Sequence, residues 1–268
     1  MSQGYIQEIF SSFQGEGAAV EGSCYGLRQI FIRLAGCPLA QGALGTKGCI
    51  WCDSPEAKAN HPKQCLVESE AGSQTFENIK NPVTEKEVLK RIRNLTTNDL
   101  HSISFTGGEP LHQPEFLERI LTLLKKESYK TYLETAYTED VEFLRRISHL
   151  IDFACVDVKD RSTEASLDWK VLVNREIEMC KILKDNTRVF AKTVVSKSSR
   201  KEDFEVIADL CGRIGIPIVI QIVTPPDNSK ILQPTWRQIT EFSEIAAQHL
   251  PADKVGISVQ MHKNLNIL

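Results

Sequence analysis

The sequence lacks any apolar run near the roughly 18 residues that a membrane-spanning helix needs, which argues against a membrane protein. Its first ten residues, MSQGYIQEIF, lack the basic and apolar regions of a secretory signal, so a cytoplasmic protein is expected. It also lacks an excess of positive charge. A net charge of −3 speaks against a nucleic-acid partner and against a polybasic membrane anchor. Internal repeats and low-complexity tracts are missing too. What remains, 41% hydrophobic and 25% charged over 268 residues, suits one large α/β domain or two small ones.

Cysteine is not lacking. Eight occur, at positions 24, 37, 49, 52, 65, 155, 180 and 211. In a chain of this size without a secretory signal they are expected to bind metal or to be buried rather than paired. Three fall within residues 37–52, CPLAQGALGTKGCIWC, as Cys37 followed by Cys49 and Cys52 in a C-x-x-C pair. Thiolates grouped this way suit a soft metal. Two readings stay open on spacing alone. Cys37, Cys49, Cys52 and Cys65 could form a four-cysteine zinc cage. Alternatively, the first three could hold a [4Fe–4S] cluster whose fourth iron is open to a small molecule. Two features favour the cluster: Cys65 falls in an irregular stretch, and Cys37 directly follows a hydrophobic strand, where a barrel opens. A thioredoxin-like dithiol at Cys49 and Cys52 fits less well, because no thioredoxin-type strand order follows. Cys155, Cys180 and Cys211 lie in apolar contexts and are predicted to be small buried residues.

Along the chain, residues 13–17 (FQGEG) predict a flexible loop bearing an amide and a carboxylate, with glycines that let backbone approach a ligand. Residues 28–35 predict a buried strand. Residues 53–83 are polar, interrupted by Pro, Gly and Asn, and without a clear period; they predict an insertion packed outside the core. From Thr84, a capping residue with Glu87 three positions on, the pattern becomes regular. Helices are predicted over 85–94, 114–126, 139–148, 167–184, 201–213 and 235–248. Strands are predicted over 102–105, 130–134, 152–157, 188–195, 216–222 and 255–258. Strand and helix in alternation imply a parallel sheet. About six units fit, too few for a closed eight-fold barrel, so the expected fold is α/β, a partial (β/α)6 barrel in a single domain over residues 1–268. Ligands of such sheets bind at the C-terminal strand ends. The cysteine loop, residues 106–110, Glu134 and Thr135, residues 157–159 and Gln221 all fall at such ends, which predicts one shared site.

With these features together the chain resembles the radical S-adenosylmethionine (SAM) enzymes, and more narrowly the 7-carboxy-7-deazaguanine synthase family. The matching stretches are EIFSSFQGEG (8–17), FIRLAGC (31–37), CIWCDS (49–54), FTGGEP (105–110), LET (133–135) and VQMHKNL (259–265), so the resemblance spans the chain. The TGGEP turn is shared across the superfamily, whereas the N-terminal QGEG and the C-terminal Q-x-H-K are more specific. The chain departs from the superfamily's C-x3-C-x2-C by an expanded first spacing, carries Ser54 where the family usually has Thr, and has a longer insertion at 54–83.

The resemblance implies a radical SAM barrel that converts 6-carboxy-5,6,7,8-tetrahydropterin to 7-carboxy-7-deazaguanine. Hydrogen abstraction at C6 starts a ring contraction, ammonia is lost and SAM is regenerated. The implied cofactors are a [4Fe–4S] cluster on Cys37, Cys49 and Cys52, SAM, and Mg²⁺ with Ser54 as a ligand. SAM would be met by Trp51, Cys52, Asp53, Gly107, Gly108, Glu109, Glu134, Asp157, Lys159 and Gln221, with the Glu109 carboxylate accepting from the SAM ammonium. The pterin would be met by Phe13, Gln14, Gly15, Arg33, Thr106, His262 and Leu268, with Arg33 on its carboxylate. An electron donor such as flavodoxin or ferredoxin and a homodimer are also implied. Other readings are a glycyl-radical-enzyme activating enzyme, whose protein substrate needs neither the QGEG loop nor Arg33, and a zinc-stabilised, non-catalytic binding module.

Overall fold

The computed structural model describes residues 2–265. In chain order the elements are β1 (Gln3–Gly4), β2 (Ile6–Phe13), β3 (Arg28–Leu34), β4 (Gln64–Glu68), β5 (Phe76–Lys80), β6 (Val83–Thr84), α1 (Glu85–Leu95), β7 (Leu100–Gly107), α2 (Pro114–Lys126), β8 (Thr131–Thr135), α3 (Val141–Ile147), β9 (Phe153–Asp157), α4 (Trp169–Lys184), β10 (Arg188–Val195), α5 (Lys201–Ile214), β11 (Ile218–Ile222), α6 (Trp236–His249), β12 (Val255–Ser258) and α7 (Met261–Leu265). A ten-stranded sheet runs in the order β12-β11-β10-β9-β8-β7-β3-β2-β4-β5. From β12 to β3 every neighbouring pair is parallel. Six helices, α1 to α6, connect these seven strands, as the alternating pattern predicted.

The period of the strands decides what faces where. Along β3, Ile30, Ile32 and Leu34 join the core under the helices, while Gln29, Phe31 and Arg33 take the opposite face. On α2 the apolar stripe Phe116, Leu117, Ile120, Leu121 and Leu124 is buried against that core. Burying each such side chain is worth about 1.5–3 kcal/mol. Helix starts follow local chemistry. Thr84 accepts from the Glu87 amide, Asp168 from the Lys170 amide, and Thr235 and Gln238 form a reciprocal capping box.

One element was not predicted and one expectation needs correcting. Residues 6–13 form β2, antiparallel to β3, and only its last residue, Phe13, belongs to the stretch predicted as a loop. The 54–83 insertion is not an irregular appendage. Its β4 and β5 form an antiparallel pair, and β4 adds to the free edge of β2, extending the main sheet. Alternation along β4 sends Cys65 and Val67 into the helix-side core, which the sequence hid behind flanking Pro, Lys and Glu.

The inner face of the sheet is blocked at one end. Val20 and Cys24 pack on Tyr132, Phe153, Cys155, Phe190 and Val219, which lie at or near the starts of their strands. This same N-terminal segment crosses to the far edge: the Gly17 amide donates to Ser258 Oγ at 3.3 Å, and the Met261 amide donates to the Gly15 carbonyl at 2.9 Å. The gap between β2 and β12 is thereby spanned, and the C-terminal strand ends are left as the open mouth.

Candidate active site

At that mouth lies a cavity of about 510 Å³. Its cysteine wall is set by backbone contacts. The Gly108 amide donates to the Leu34 carbonyl at 2.9 Å, Glu109 to Gly36 at 2.8 Å, and Gly36 to Ala57 at 2.8 Å. Gly107 has a φ of +127°, and a Cβ on Gly107 or Gly108 would overlap the carbonyl of Leu34 or Gly36, so only glycine fits this pair. The TGGEP turn is thus locked to the three residues before Cys37. The expanded loop after Cys37 is tied down as well. The Ile50 amide donates to Thr163, the Leu167 amide to Leu44, and Thr46 Oγ1 to Ala165. Leu39 packs with Tyr137, Ala165 and Leu172 beside Cys37 and Cys49.

Cys37, Cys49 and Cys52 are half-buried and face the cavity together, whereas the other five cysteines are buried. Burial pushes the Cys49 thiol up to about 11, with Lys159 acting the other way. Cys65 lies on the helix side of the sheet, its thiol pushed up to about 12 by burial, and does not line the cavity. A four-cysteine cage with Cys65 therefore does not form. Three soft donors on one wall fit a cluster with one iron left open. On the same cavity, Asp157 Oδ1 and Gln221 Oε1 are buried without a partner among the described residues, which suits a polar ligand.

The floor is a network of charges on the inner strand face. Lys192 Nζ contacts Glu16 Oε2, Glu134 Oε1 at 2.7 Å and Asp157 Oδ2 at 3.7 Å. Lys159 Nζ donates to Asp157 Oδ2 at 2.7 Å, and Thr106 Oγ1 to Glu134 Oε2 at 3.0 Å. Burial works against the charge on Lys192, but the three carboxylates hold it well above its usual range. Burial would likewise raise the Glu134 carboxyl, yet Lys192 takes it below the usual range. Gln260 Nε2 donates to Glu16 Oε1 at 2.6 Å and to Asp53 Oδ2 at 2.9 Å, joining the N-terminal loop to the cysteine loop.

On the β2–β3 side, Arg33 Nε donates to Glu8 Oε1 at 2.5 Å and Nη1 to Ser54 Oγ at 3.0 Å. Ser54 in turn donates to Asp53 Oδ1 at 3.2 Å. Phe10 and Phe31 stack at 5.1 Å beside them.

Every candidate residue from the sequence within the described range lines this one cavity, from Phe13, Gln14 and Gly15 through Trp51 and Asp53 to His262. Leu268 lies outside the described residues. Two side chains are committed differently from expectation. Both Glu109 oxygens are occupied within the protein: Oε1 accepts from Leu111 N and Thr135 Oγ1, Oε2 from Ala136 N and Tyr137 N. Its burial pushes the carboxyl up, and these four bonds oppose that. Gln14 donates to Gln29 Oε1 and accepts from the Glu16 amide, so its amide shapes the loop. Sequence reasoning passed over Lys192, Glu8 and Gln260. For Lys192 the signal was present: a lysine on the inward phase of the apolar strand 188–195 is costly unless paired.

Comparison with known proteins agrees with this arrangement. The radical SAM superfamily model matches residues 35–230. A 7-carboxy-7-deazaguanine synthase of Thermococcus kodakarensis is 38% identical over 265 residues, covering 98% of each chain. One of Methanocaldococcus jannaschii is 35% identical over 98% of this chain and 100% of its own. Among solved structures, a radical SAM methyltransferase from Sphaerobacter thermophilus superposes with a TM-score of 0.58 at 14% identity, over 87% of this chain and 66% of that one, which shows a common fold. Near-complete coverage at this identity, with the three cysteines and the Gly-Gly turn on one cavity, means that the chain belongs to the 7-carboxy-7-deazaguanine synthase family of radical SAM enzymes.

Proposed function

We infer that this protein is a radical SAM lyase that converts 6-carboxy-5,6,7,8-tetrahydropterin to 7-carboxy-7-deazaguanine with loss of ammonia, in 7-deazapurine (queuosine or archaeosine) biosynthesis. The observation that carries the reading is Arg33. It is a guanidinium directly after the apolar run at residues 30–32 of β3, in the cavity of the three cysteines, where a carboxylate is the natural ligand. A cavity of about 510 Å³ suits a small substrate beside a cofactor. A zinc module loses its fourth cysteine, because Cys65 faces away. Within a single domain, the unbroken sheet from β12 to β5 supports the site.

When bound, the cluster on Cys37, Cys49 and Cys52 together with SAM supplies the radical chemistry; the remaining work is done by this chain's side chains. The locked turn at Gly107 and Gly108 presents backbone to the SAM amino group, with Glu109 holding that turn rather than reaching outward. Glu134, Asp157, Lys159 and Gln221 offer acceptors and donors to the SAM ribose and carboxylate, and the backbone around Trp51, Cys52 and Asp53 offers an edge for adenine. Arg33 holds the substrate carboxylate, and Phe13, Gly15, Thr106 and His262 border the pterin, with Gln14 fixing the loop that carries them. Lining by buried strands keeps water from the reacting carbon.

Mg²⁺ at Ser54 belongs to the same reading, supported by position alone. Its hydroxyl accepts from Arg33 and donates to Asp53, which leaves one lone pair of its oxygen for the cation. A flavodoxin or ferredoxin donor and a homodimer complete the proposal on family grounds. The test is anaerobic reconstitution with iron and sulfide, followed by incubation with the pterin, SAM and a reductant. Formation of 7-carboxy-7-deazaguanine without consumption of SAM is expected; iron-loaded protein that releases no such product overturns the reading.

A further inference from the structure

We propose that Lys192 is a positioning residue that couples the two halves of the site, fixing the substrate loop through Glu16 and the cofactor-facing strand ends through Glu134 and Asp157. The inference rests on the reaction assigned above.

Lys192 is 2% exposed, yet its ammonium faces the cavity rather than the helix-side core. Its three acceptors come from separate parts of the chain: Glu16 from the loop after β2, Glu134 from the end of β8, Asp157 from the end of β9. An ammonium has three N–H donors, and three carboxylates surround this one. The second oxygen of Glu16 is held by Gln260 and that of Glu134 by Thr106, while Asp157 Oδ1 has no partner among the described residues. Glu16 and Glu134 are each held from two sides, and the common holder is Lys192.

The register explains why this node cannot be replaced by its neighbours. Lys192 pairs with Asp157 across β9 and β10, and Glu134 pairs with Cys155 one strand further. Among the described residues Lys159 pairs with Asp157 alone, not with Glu16 or Glu134. Without the central cation, three carboxylates would face one another in a buried site, and each would turn away or take up a proton. The N-terminal loop and the strand ends would then lose their common reference. Since a radical reaction needs the reacting hydrogen aligned with its acceptor, a small misplacement of either half is costly.

Lys192→Met, Lys192→Arg and Glu16→Gln, made in the cluster-loaded enzyme, test this. Dissociation constants are measured for SAM and for 6-carboxypterin, the stable oxidised analogue of the substrate, with iron content and Tm alongside. Lys192→Met should keep its iron and weaken both ligands, each on the order of ten-fold. Lys192→Arg should recover part of both. Glu16→Gln should weaken 6-carboxypterin alone, and the double variant with Lys192→Met should bind it no worse than Lys192→Met does. Any turnover that remains in Lys192→Met should release more 5′-deoxyadenosine per product than wild type. A merely structural lysine would lower Tm and leave both dissociation constants unchanged, which overturns the proposal. Loss of SAM affinity in Glu16→Gln overturns the division into two arms. If Lys192→Met does not fold, Lys192→Arg and Glu16→Gln still decide. Wild-type enzyme that binds both ligands but makes no product overturns the reaction assignment and not this one.

Discussion

Arg33 Nη1 donates to Ser54 Oγ at 3.0 Å, which ties the inner face of β3 to the residue just past the last cluster cysteine. Burial acts against the charge on this arginine, but Glu8 and the other carboxylates nearby more than offset it, so Arg33 stays protonated. The site therefore holds a permanent cation already paired on one edge with Glu8. An incoming carboxylate meets the Nη side, where Ser54 takes one of the four Nη hydrogens.

Arg33→Lys should raise KM with little change in cluster content, because an ammonium lacks the planar fork that holds a ligand carboxylate by two parallel hydrogen bonds. Hydrogen bonds to charged groups are worth about 1.5–3 kcal/mol, so roughly ten- to hundred-fold is expected. Arg33→Ala should lose at least as much. Steady-state kinetics on iron-loaded enzyme give the answer, and wild-type KM in Arg33→Ala would remove Arg33 from the site.

The cysteines divide by exposure. Cluster-free native protein should be alkylated first at Cys52, more slowly at Cys37 and Cys49, whose thiols burial pushes up, and be protected at the buried Cys24, Cys65, Cys155, Cys180 and Cys211. Cys65→Ala should keep full iron at a cost on the order of 1 kcal/mol from the small cavity. Cys49→Ala should bind no cluster. Iron loss in Cys65→Ala would contradict the three-ligand assignment.

Much of this was legible because periodicity and motif agree. α2 runs from Pro114 to Lys126, β10 from Arg188 to Val195 and β12 from Val255 to Ser258, as the apolar pattern indicated. The site residues were legible because strand ends converge in any parallel sheet, so a list of polar motifs at those ends is already a site. β2 and the β4–β5 pair were not. β2 (IQEIFSSF) mixes polar residues into both phases because its inner side carries Glu8 against Arg33, and a bulge between Ile6 and Glu8 breaks its alternation. β4 and β5 expose one face, and their flanking prolines and glycines read as loop. The commitment of Glu109 to backbone amides depends on chain segments far apart in sequence, which no local pattern reports.

The charged floor sets a pH response. Glu134 has a folded value below its ordinary 4.5, so its stabilising contribution is full above 4.5 and is lost as the pH falls from there through the folded value. Lys192 lies above its ordinary 10.5, so its contribution is full below 10.5 and is lost only as the pH rises through the folded value. The network is therefore constant across neutral pH and gives way first in acid. Tm measured from pH 3 to pH 7 in wild type and Glu134→Gln should show a smaller acid-side decline in the variant; parallel curves would contradict the assignment.

Gly15 should not tolerate a side chain. A Cβ there would overlap His262, and the Met261 amide must still reach the Gly15 carbonyl at 2.9 Å. Gly15→Ala should release α7 from the cavity rim, increase proteolysis near residue 261 and weaken 6-carboxypterin binding, with iron content unchanged. Unchanged proteolysis and binding would show that the C-terminal helix does not depend on this contact.

Ser54 carries the most exposed assignment. Its hydroxyl accepts from Arg33 and donates to Asp53, which leaves one lone pair of its oxygen for a cation. Mg²⁺ prefers near-octahedral oxygen ligands and usually keeps several waters, which a single hydroxyl beside a substrate carboxylate allows. Two outcomes separate a metal ligand from a hydrogen-bonding partner of Arg33. If Ser54 ligates Mg²⁺, Ser54→Ala lowers turnover and flattens its dependence on Mg²⁺, while SAM binding and iron stay at wild-type levels. Ser54→Thr keeps the oxygen and adds one methyl, so it should retain the Mg²⁺ dependence. If Ser54 only steadies Arg33, Ser54→Ala raises KM and leaves the Mg²⁺ titration unchanged, and the metal assignment fails.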